Sequence, residues 1–195
     1  MHKALKILII SSIFFNFSNG LLFPIFAIFV QQIGGGILEA SRAWFLYTIL
    51  LGITIVTFGQ MADRISKRKM FFLGRILFVV SSASYFFVEN VQQLYFVQII
   101  LAISVAVIDP AFVSLFSRAS IRKKESEEWA VWEGAANIAI AFGAIIGGLV
   151  AITYGFKALF VIMTASSLIS LTTSAMLMRK HMWKAIAKKF THLKS

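Results

Sequence analysis

The sequence contains no cysteine, and only 14% of its residues are charged. The lack of cysteine excludes disulfide bonds, thiol catalysis and cysteine-ligated metals within this chain. Soluble globular domains carry roughly 25% charged residues, whereas here charge is scarce and 59% of residues are hydrophobic. Together with the length of the apolar runs, this scarcity of charge predicts an integral membrane protein.

The motifs of common enzyme active sites are also missing. There is no Gly-x-Ser-x-Gly, no His-Glu-x-x-His and no phosphate-binding Gly-Lys loop. The three histidines, His2, His181 and His192, lie outside the long apolar runs. No pattern places a nucleophile beside a base or groups metal ligands. We therefore expect no enzymatic activity, no metal and no cofactor.

Six apolar runs are long enough to cross a bilayer, which requires about 20 helical residues. The first run continues past Asn16 and Asn19. It is longer than a signal-peptide core of about 7–15 residues, so we interpret it as a retained helix. These runs predict an all-α integral membrane protein with one six-helix bundle over residues 1–178. The predicted spans are residues 5–30, 43–62, 70–88, 92–117, 129–153 and 158–178.

The lysines and arginines alternate between the two sides of these spans. All 19 except Arg42 and Lys157 fall in the N-terminal segment, in the second–third connection and the start of the third span, in the fourth–fifth connection or in the C-terminal segment. Cytoplasmic loops carry such an excess, so we predict a multi-pass protein of the cytoplasmic membrane with both termini in the cytoplasm. Since the charges lie at the membrane surface, the net charge of +11 does not indicate a nucleic-acid partner. Arg75, early in the third span, is expected to extend its side chain to the inner headgroups.

Residues 179–195 differ in character from the bundle. Apolar residues recur there at helical spacing, with lysines between them. This pattern favours a basic amphipathic helix on the cytoplasmic leaflet, and a solvated tail is the alternative. The apolar residues are Met182, Trp183, Ile186, Phe190 and Leu193.

The connection between the second and third spans carries one acid and four bases within residues 63–69. Membrane anchoring explains the bases but not Asp63, because acids contribute little to topology. The segment resembles the second–third loop of the Major Facilitator Superfamily of transporters, with Ser66 in place of a glycine. The resemblance implies a gating latch. A half-buried Asp63 at the end of the second span would seek a cation, and Arg64 and Arg118 are the candidates. The assigned gating residues are Gly59, Asp63, Arg64, Lys67, Arg68 and Arg118.

Polar residues inside the spans are candidates for a translocation path. Asp109 is the acid deepest in a span, where a carboxylate costs about 2.5–3.5 kcal/mol and should face a cavity or a partner. It either carries a coupling proton or caps a kink at Pro110. Superfamily members often have an arginine four residues before a glycine in this helix, where Gln98 and Ala102 stand here. The path candidates, which bind solute or only bridge helices, are Asn16, Asn19, Gln98, Asp109 and Asn137.

Small residues recur at every fourth position of the fifth span, a pattern that lets another helix approach closely. The run from residue 139 to 148 also resembles the antiporter motif of the superfamily's fifth helix, with Ala139 for its first glycine and Ala144 for its proline. The residues assigned to helix packing are Ala139, Gly143, Gly147 and Gly148.

The chain as a whole resembles the N-terminal half of a Major Facilitator transporter, which implies six helices arranged as 3+3 inverted repeats. Pro24 and Pro110, at similar depths in the first and fourth spans, agree with such repeats. The resemblance implies a secondary transporter of a small solute, with protons as a candidate coupling ion. Because alternating access needs a second bundle, we expect a homodimer or a second six-helix half. The alternative is a non-transporting scaffold or regulatory subunit.

Overall fold

The computed structural model describes residues 3–62, 65–121 and 123–178, and every regular element in them is a helix. Within these residues, five segments are long and apolar enough to cross a membrane. Asp63, Arg64 and the expected amphipathic tail lie outside the described residues. The α-helices are α1 (Lys3–Leu22), α2 (Phe26–Gln32), α3 (Ile37–Ala62), α4 (Lys67–Ser84), α5 (Val91–Ala119) and α6 (Glu125–Ala175).

The two prolines have different local effects. Pro24 lies in a short 3-10 turn, Phe23–Ile25, which separates α1 from α2 within one membrane-length segment. Proline lacks the N–H group that an α-helix needs, so an interruption at this point is expected. Pro110 instead lies inside α5, which continues through it.

The helix α6 is interrupted at Gly155. Its 51 residues would be far longer than a hydrocarbon core of about 30 Å, at about 1.5 Å per residue. Gly155 adopts the non-helical angles φ 80° and ψ 170°, which are open to glycine because it has no Cβ atom. We call the segments before and after it α6a (residues 125–154) and α6b (residues 156–175).

The segment α6a runs in the same direction as α1. Near its start, the Nε1 atom of Trp132 donates a hydrogen bond of 2.7 Å to the hydroxyl of Ser12. Fifteen residues later, Gly147 lies against the backbone of Leu21. The contacts therefore advance together along both helices.

The segment α6b runs in the opposite direction along α1. The Ser18 hydroxyl donates to the carbonyl of Met163 at 3.0 Å, and the Ser170 hydroxyl donates to the carbonyl of Ser11 at 2.7 Å. Hydrogen bonds from serine across helices are typical of packing in membranes. The chain therefore reverses its direction at Gly155.

Glycine allows the backbones of α1 and α6a to touch. A Cβ atom added at Gly143 would lie 2.6 Å from the carbonyl oxygen of Phe17, and one added at Gly20 would lie 2.6 Å from that of Ile140. Gly148 differs, because a Cβ atom added there would have no neighbour within 4 Å. Of the residues assigned to packing, Ala139, Gly143 and Gly147 are buried and Gly148 faces open space.

Two apolar clusters fill opposite ends of the bundle. The first includes Leu8, Phe71 and Phe116, and the second includes Phe29 and Leu94. The first cluster lies at the end where α1 and α4 begin and α5 ends, which is also the end rich in lysine and arginine. The packing opens into a cavity between the two clusters.

We predict that Gly143→Ala destabilises the protein more than Gly148→Ala. Both changes raise helix propensity equally, so their difference reports the clash with Phe17, which overpacking data place at about 1–3 kcal/mol. Thermal unfolding of both variants in the same detergent, followed by fluorescence, measures the difference. Equal stability of the two variants would contradict the close contact between α1 and α6a.

Candidate functional site

A cavity of about 530 Å³ lies between α1, α3, α5 and α6b. Its size is within the range of pockets for drug-sized ligands, roughly 300–1,000 Å³. The wall is mainly apolar, and besides its tyrosines and tryptophan it contains four polar residues, Ser18, Asn19, Gln98 and Asp109. The aromatic lining residues are Phe15, Phe23, Phe26, Trp44, Tyr47 and Tyr85.

Asp109 is the acidic residue in this wall. It is half-buried on α5, and it makes no hydrogen bond or salt bridge within the described part of the chain. Since α5 continues through Pro110 and no backbone N–H group bonds the carboxylate, the capping alternative is not observed. The carboxylate therefore faces the cavity with no group of the described chain neutralising it by direct contact.

Gln98 is held in place by Tyr85, which lies in the 3-10 turn that follows α4. Its side chain is 2% exposed, and its Oε1 atom accepts a hydrogen bond of 3.2 Å from the hydroxyl of Tyr85. Tyr85 in turn stacks on Phe160, with ring centroids 5.5 Å apart. The amide that stands where superfamily members often have an arginine is therefore fixed in the cavity wall.

The three asparagines predicted to line the path differ in their relation to the cavity. Asn19 lines it, with its amide donating to the Phe15 carbonyl at 3.1 Å. Asn16 donates to the Ser12 carbonyl at 2.8 Å and is not among the lining residues. Asn137 is exposed on α6a and donates to the carbonyl of its own helix four residues earlier. The cavity thus brings together Asn19, Gln98 and Asp109, but not Asn16 or Asn137.

The aromatic wall was not predicted from the sequence. Trp44 packs edge-on against Phe23 at 5.3 Å and lies 5.4 Å from Tyr47, measured between ring centroids. The available signal was the three-residue spacing of Trp44 and Tyr47, which places them on one face of α3. Phe23 comes from a different helix and could not be assigned to this wall from spacing alone.

Arg75 lies in the protein interior, so the expectation that it reaches the headgroups is wrong. It is 1% exposed, and its guanidinium carbon lies 4.2 Å from the ring centroid of Phe15 and 4.9 Å from that of Phe71. Its Nε and Nη1 atoms have no hydrogen-bond partner within the described residues. Within the described residues no direct salt bridge joins it to Asp109, although α4 and α5 approach closely at the preceding residues, Gly74 and Ile108. Arg75 lies on the buried face of α4, as does Phe71 one turn earlier, so its side chain does not reach the surface.

The gating residues are only partly described. Gly59 lies near the end of α3 in open space, and Lys67 and Arg68 begin α4. Arg118 lies in the last turn of α5, at the same end of the bundle. Its expected partner Asp63 is outside the described residues, so the proposed latch contact is not seen.

Known transporters and resistance proteins resemble this chain in fold or in sequence. The POT family transporter PepTSo has the same fold, with a TM-score of 0.72 and 16% identity over 90% of this chain and 37% of that one. Multidrug resistance protein 2 of Bacillus subtilis is 26% identical over 91% of this chain and 44% of its own length. The methyl viologen resistance protein SmvA of Salmonella typhimurium is 27% identical over 60% and 24%. The chain spans less than half the length of these relatives.

The family model of the Major Facilitator Superfamily matches residues 8–189, which is most of the chain. Its relatives are transporters, so the comparisons support a multi-pass membrane protein of the transporter kind rather than an enzyme. On this match, together with the helical fold described above, the chain belongs to the Major Facilitator Superfamily.

Proposed function

We propose that this protein takes part in secondary active transport of small aromatic or lipophilic cations by alternating access. The observation that carries the proposal is the carboxylate of Asp109 in a cavity walled by aromatic rings. Both the carboxylate and the rings stabilise a bound cation, since a carboxylate attracts it directly and aromatic faces attract it through their quadrupoles. The names of the relatives, which refer to multidrug and methyl viologen resistance, agree with such a solute.

Six spans with both termini in the cytoplasm are part of this proposal. The reversal at Gly155 supports treating α6a and α6b as two spans, since each is long enough on its own. The 3+3 repeat would then begin with α1–α2 and with α5, the two spans that contain proline. We assign residues 1–178 to the bundle and residues 179–195 to a basic helix on the inner leaflet.

The proposed transport unit has a second wall for the cavity. Large apolar side chains cover the exposed faces of α3 and α6a, including Phe45, Ile53, Phe142 and Leu149. A second copy of the chain, related by a two-fold axis, would cover these faces and close the solute path. Alternating access then follows from rocking of one bundle against the other.

Gating and coupling complete the proposal. The loop residues Gly59, Asp63, Arg64, Lys67 and Arg68, with Arg118, would latch the cytoplasmic side. Protons are the proposed coupling ion, with Asp109 as the group that exchanges a proton for the solute. Its position in the cavity and its lack of a hydrogen-bond partner in the described chain support this role.

Asp109→Asn should weaken binding of tetraphenylphosphonium by about tenfold or more, or roughly 1.4 kcal/mol, because the amide keeps the shape but not the charge. Asp109→Glu should keep most of the affinity. The control is Glu89→Gln, which removes an exposed acid outside the cavity and should leave binding unchanged. Equilibrium binding to purified protein in lipid nanodiscs measures all three. Equal affinities of Asp109→Asn and the parent protein would contradict the cation site.

The absence of cysteine makes topology directly measurable with single-cysteine variants. We expect Glu89→Cys and Tyr154→Cys to react with an impermeant maleimide on intact cells. Ser66→Cys should react only after permeabilisation, because its loop lies in the cytoplasm. Tyr154 is 78% exposed beside Gly155, so its labelling tests the reversal. Protection of Tyr154→Cys in intact cells would rule out the six-span arrangement.

Native mass spectrometry from lipid nanodiscs should detect a dimer of the 21.7 kDa chain. Phe142→Glu, which places a charge on the exposed face of α6a, should shift the distribution to monomer. Phe87→Glu, also at an exposed phenylalanine but away from that face, serves as the control. A strictly monomeric parent protein would exclude the homodimer and favour a different partner chain or a scaffold role.

A further inference from the structure

Arg75 is an interior cation that the proposed transport route does not use. It lies on α4, none of whose residues lines the cavity, and it is almost fully buried. Two of its N–H-bearing nitrogen atoms have no acceptor within the described residues. Burying a charge without a partner is costly, so a nearby negative charge is expected.

Asp109 is the acid placed to compensate Arg75. The helices α4 and α5 approach closely at the preceding residues, since a Cβ atom added at Gly74 would lie 2.6 Å from a side-chain carbon of Ile108. The other described acids lie in loops or within the first three turns of α3 and α6. No direct salt bridge joins Asp109 and Arg75 in the described chain.

Phe15 lies between the guanidinium and the solute space. Its ring packs on the guanidinium carbon at 4.2 Å, and Phe15 is also one of the residues that line the cavity. Phe15 also packs against Phe78, with ring centroids 4.5 Å apart. The positive charge is thus covered from the cavity by an aromatic side chain, which screens it much less than water would.

We infer that Arg75 is a covered counter-charge of Asp109, set behind Phe15, and that it determines the charge selectivity of the cavity. This inference rests on the proposed cation site. Whenever Asp109 is ionised, the guanidinium offsets its carboxylate, so an entering cation must compete with Arg75. Removal of its charge leaves Asp109 uncompensated and makes the cavity more selective for cations. Removal of the Phe15 ring uncovers the guanidinium and favours anions.

Two ions of nearly equal shape and opposite charge separate this role from packing. We would measure binding of tetraphenylphosphonium and tetraphenylborate to the full 195-residue chain in nanodiscs of uncharged lipid. Arg75→Gln should bind the cation about tenfold more tightly and the anion about tenfold more weakly, as expected for loss of one charge at low dielectric. Arg75→Lys, which keeps the charge, should stay near the parent values.

The control is Arg42→Gln, which changes net charge equally at an exposed arginine paired with Glu39. It should alter neither affinity by more than about twofold, since exposed charges are screened. In the double variant Arg75→Gln/Asp109→Asn, the affinities for the cation and for the anion should again be similar. Phe15→Ala should shift selectivity toward the anion. If Arg75→Gln does not fold, this variant alone tests whether Arg75 sets the charge selectivity.

The outcomes are distinct. Affinities for both ions that fall together in Arg75→Gln, or that do not change, would overturn the counter-charge role while leaving the cation site intact. Unchanged selectivity in Phe15→Ala would do the same. If the parent protein binds neither ion, the cation site itself is wrong, and the role of Arg75 fails with it.

Discussion

Hydrocarbon offers no hydrogen-bond partner, and this constraint governs which polar groups the helices of this protein can carry. Side chains on exposed faces satisfy themselves locally: the Thr48 hydroxyl donates to the Trp44 carbonyl at 2.9 Å, and that of Thr153 to the Leu149 carbonyl at 2.7 Å. Neutral polar groups can thus be placed almost anywhere on a membrane helix. Ionised groups cannot be satisfied by one carbonyl, so their positions are far more informative.

Asp109 and Arg75 are two ionisable groups that lie within the described spans. One faces the cavity and the other lies behind an aromatic side chain of its wall, on the adjacent helix. In a low dielectric each charge acts on the other and on any solute between the helices. The chemistry of the proposed site therefore depends on two opposite charges and a set of aromatic rings, rather than on hydrogen-bond recognition of one particular solute.

The sequence was sufficient for features with a local or periodic signal. Apolar run length predicts the helices, and the predicted break between residues 153 and 158 contains Gly155, where the chain reverses. Four-residue spacing of small residues predicts a close helix contact, and Gly143 and Gly147 lie in one. The family resemblance, based on the loop around Asp63 and on the fifth span, is confirmed by the match over residues 8–189.

Features that depend on how helices face each other could not be predicted in this way. Whether Arg75 points to lipid or to the interior depends on the rotation of α4, which the packing of Phe71 and Phe15 determines. The aromatic wall draws Phe23 and Trp44 from separate helices. Asn16 and Asn137 look like path residues by composition, but each bonds to its own helix and lies outside the cavity lining.

The most direct test of the central claim is chemical modification of Asp109 itself. Dicyclohexylcarbodiimide attacks protonated carboxyl groups in apolar surroundings, and peptide mass spectrometry locates the modified residue. The account predicts that Asp109 is modified in the solute-free protein and that tetraphenylphosphonium protects it in a saturable manner. Modification that proceeds equally with and without the cation would contradict the claim that the solute binds at this carboxylate.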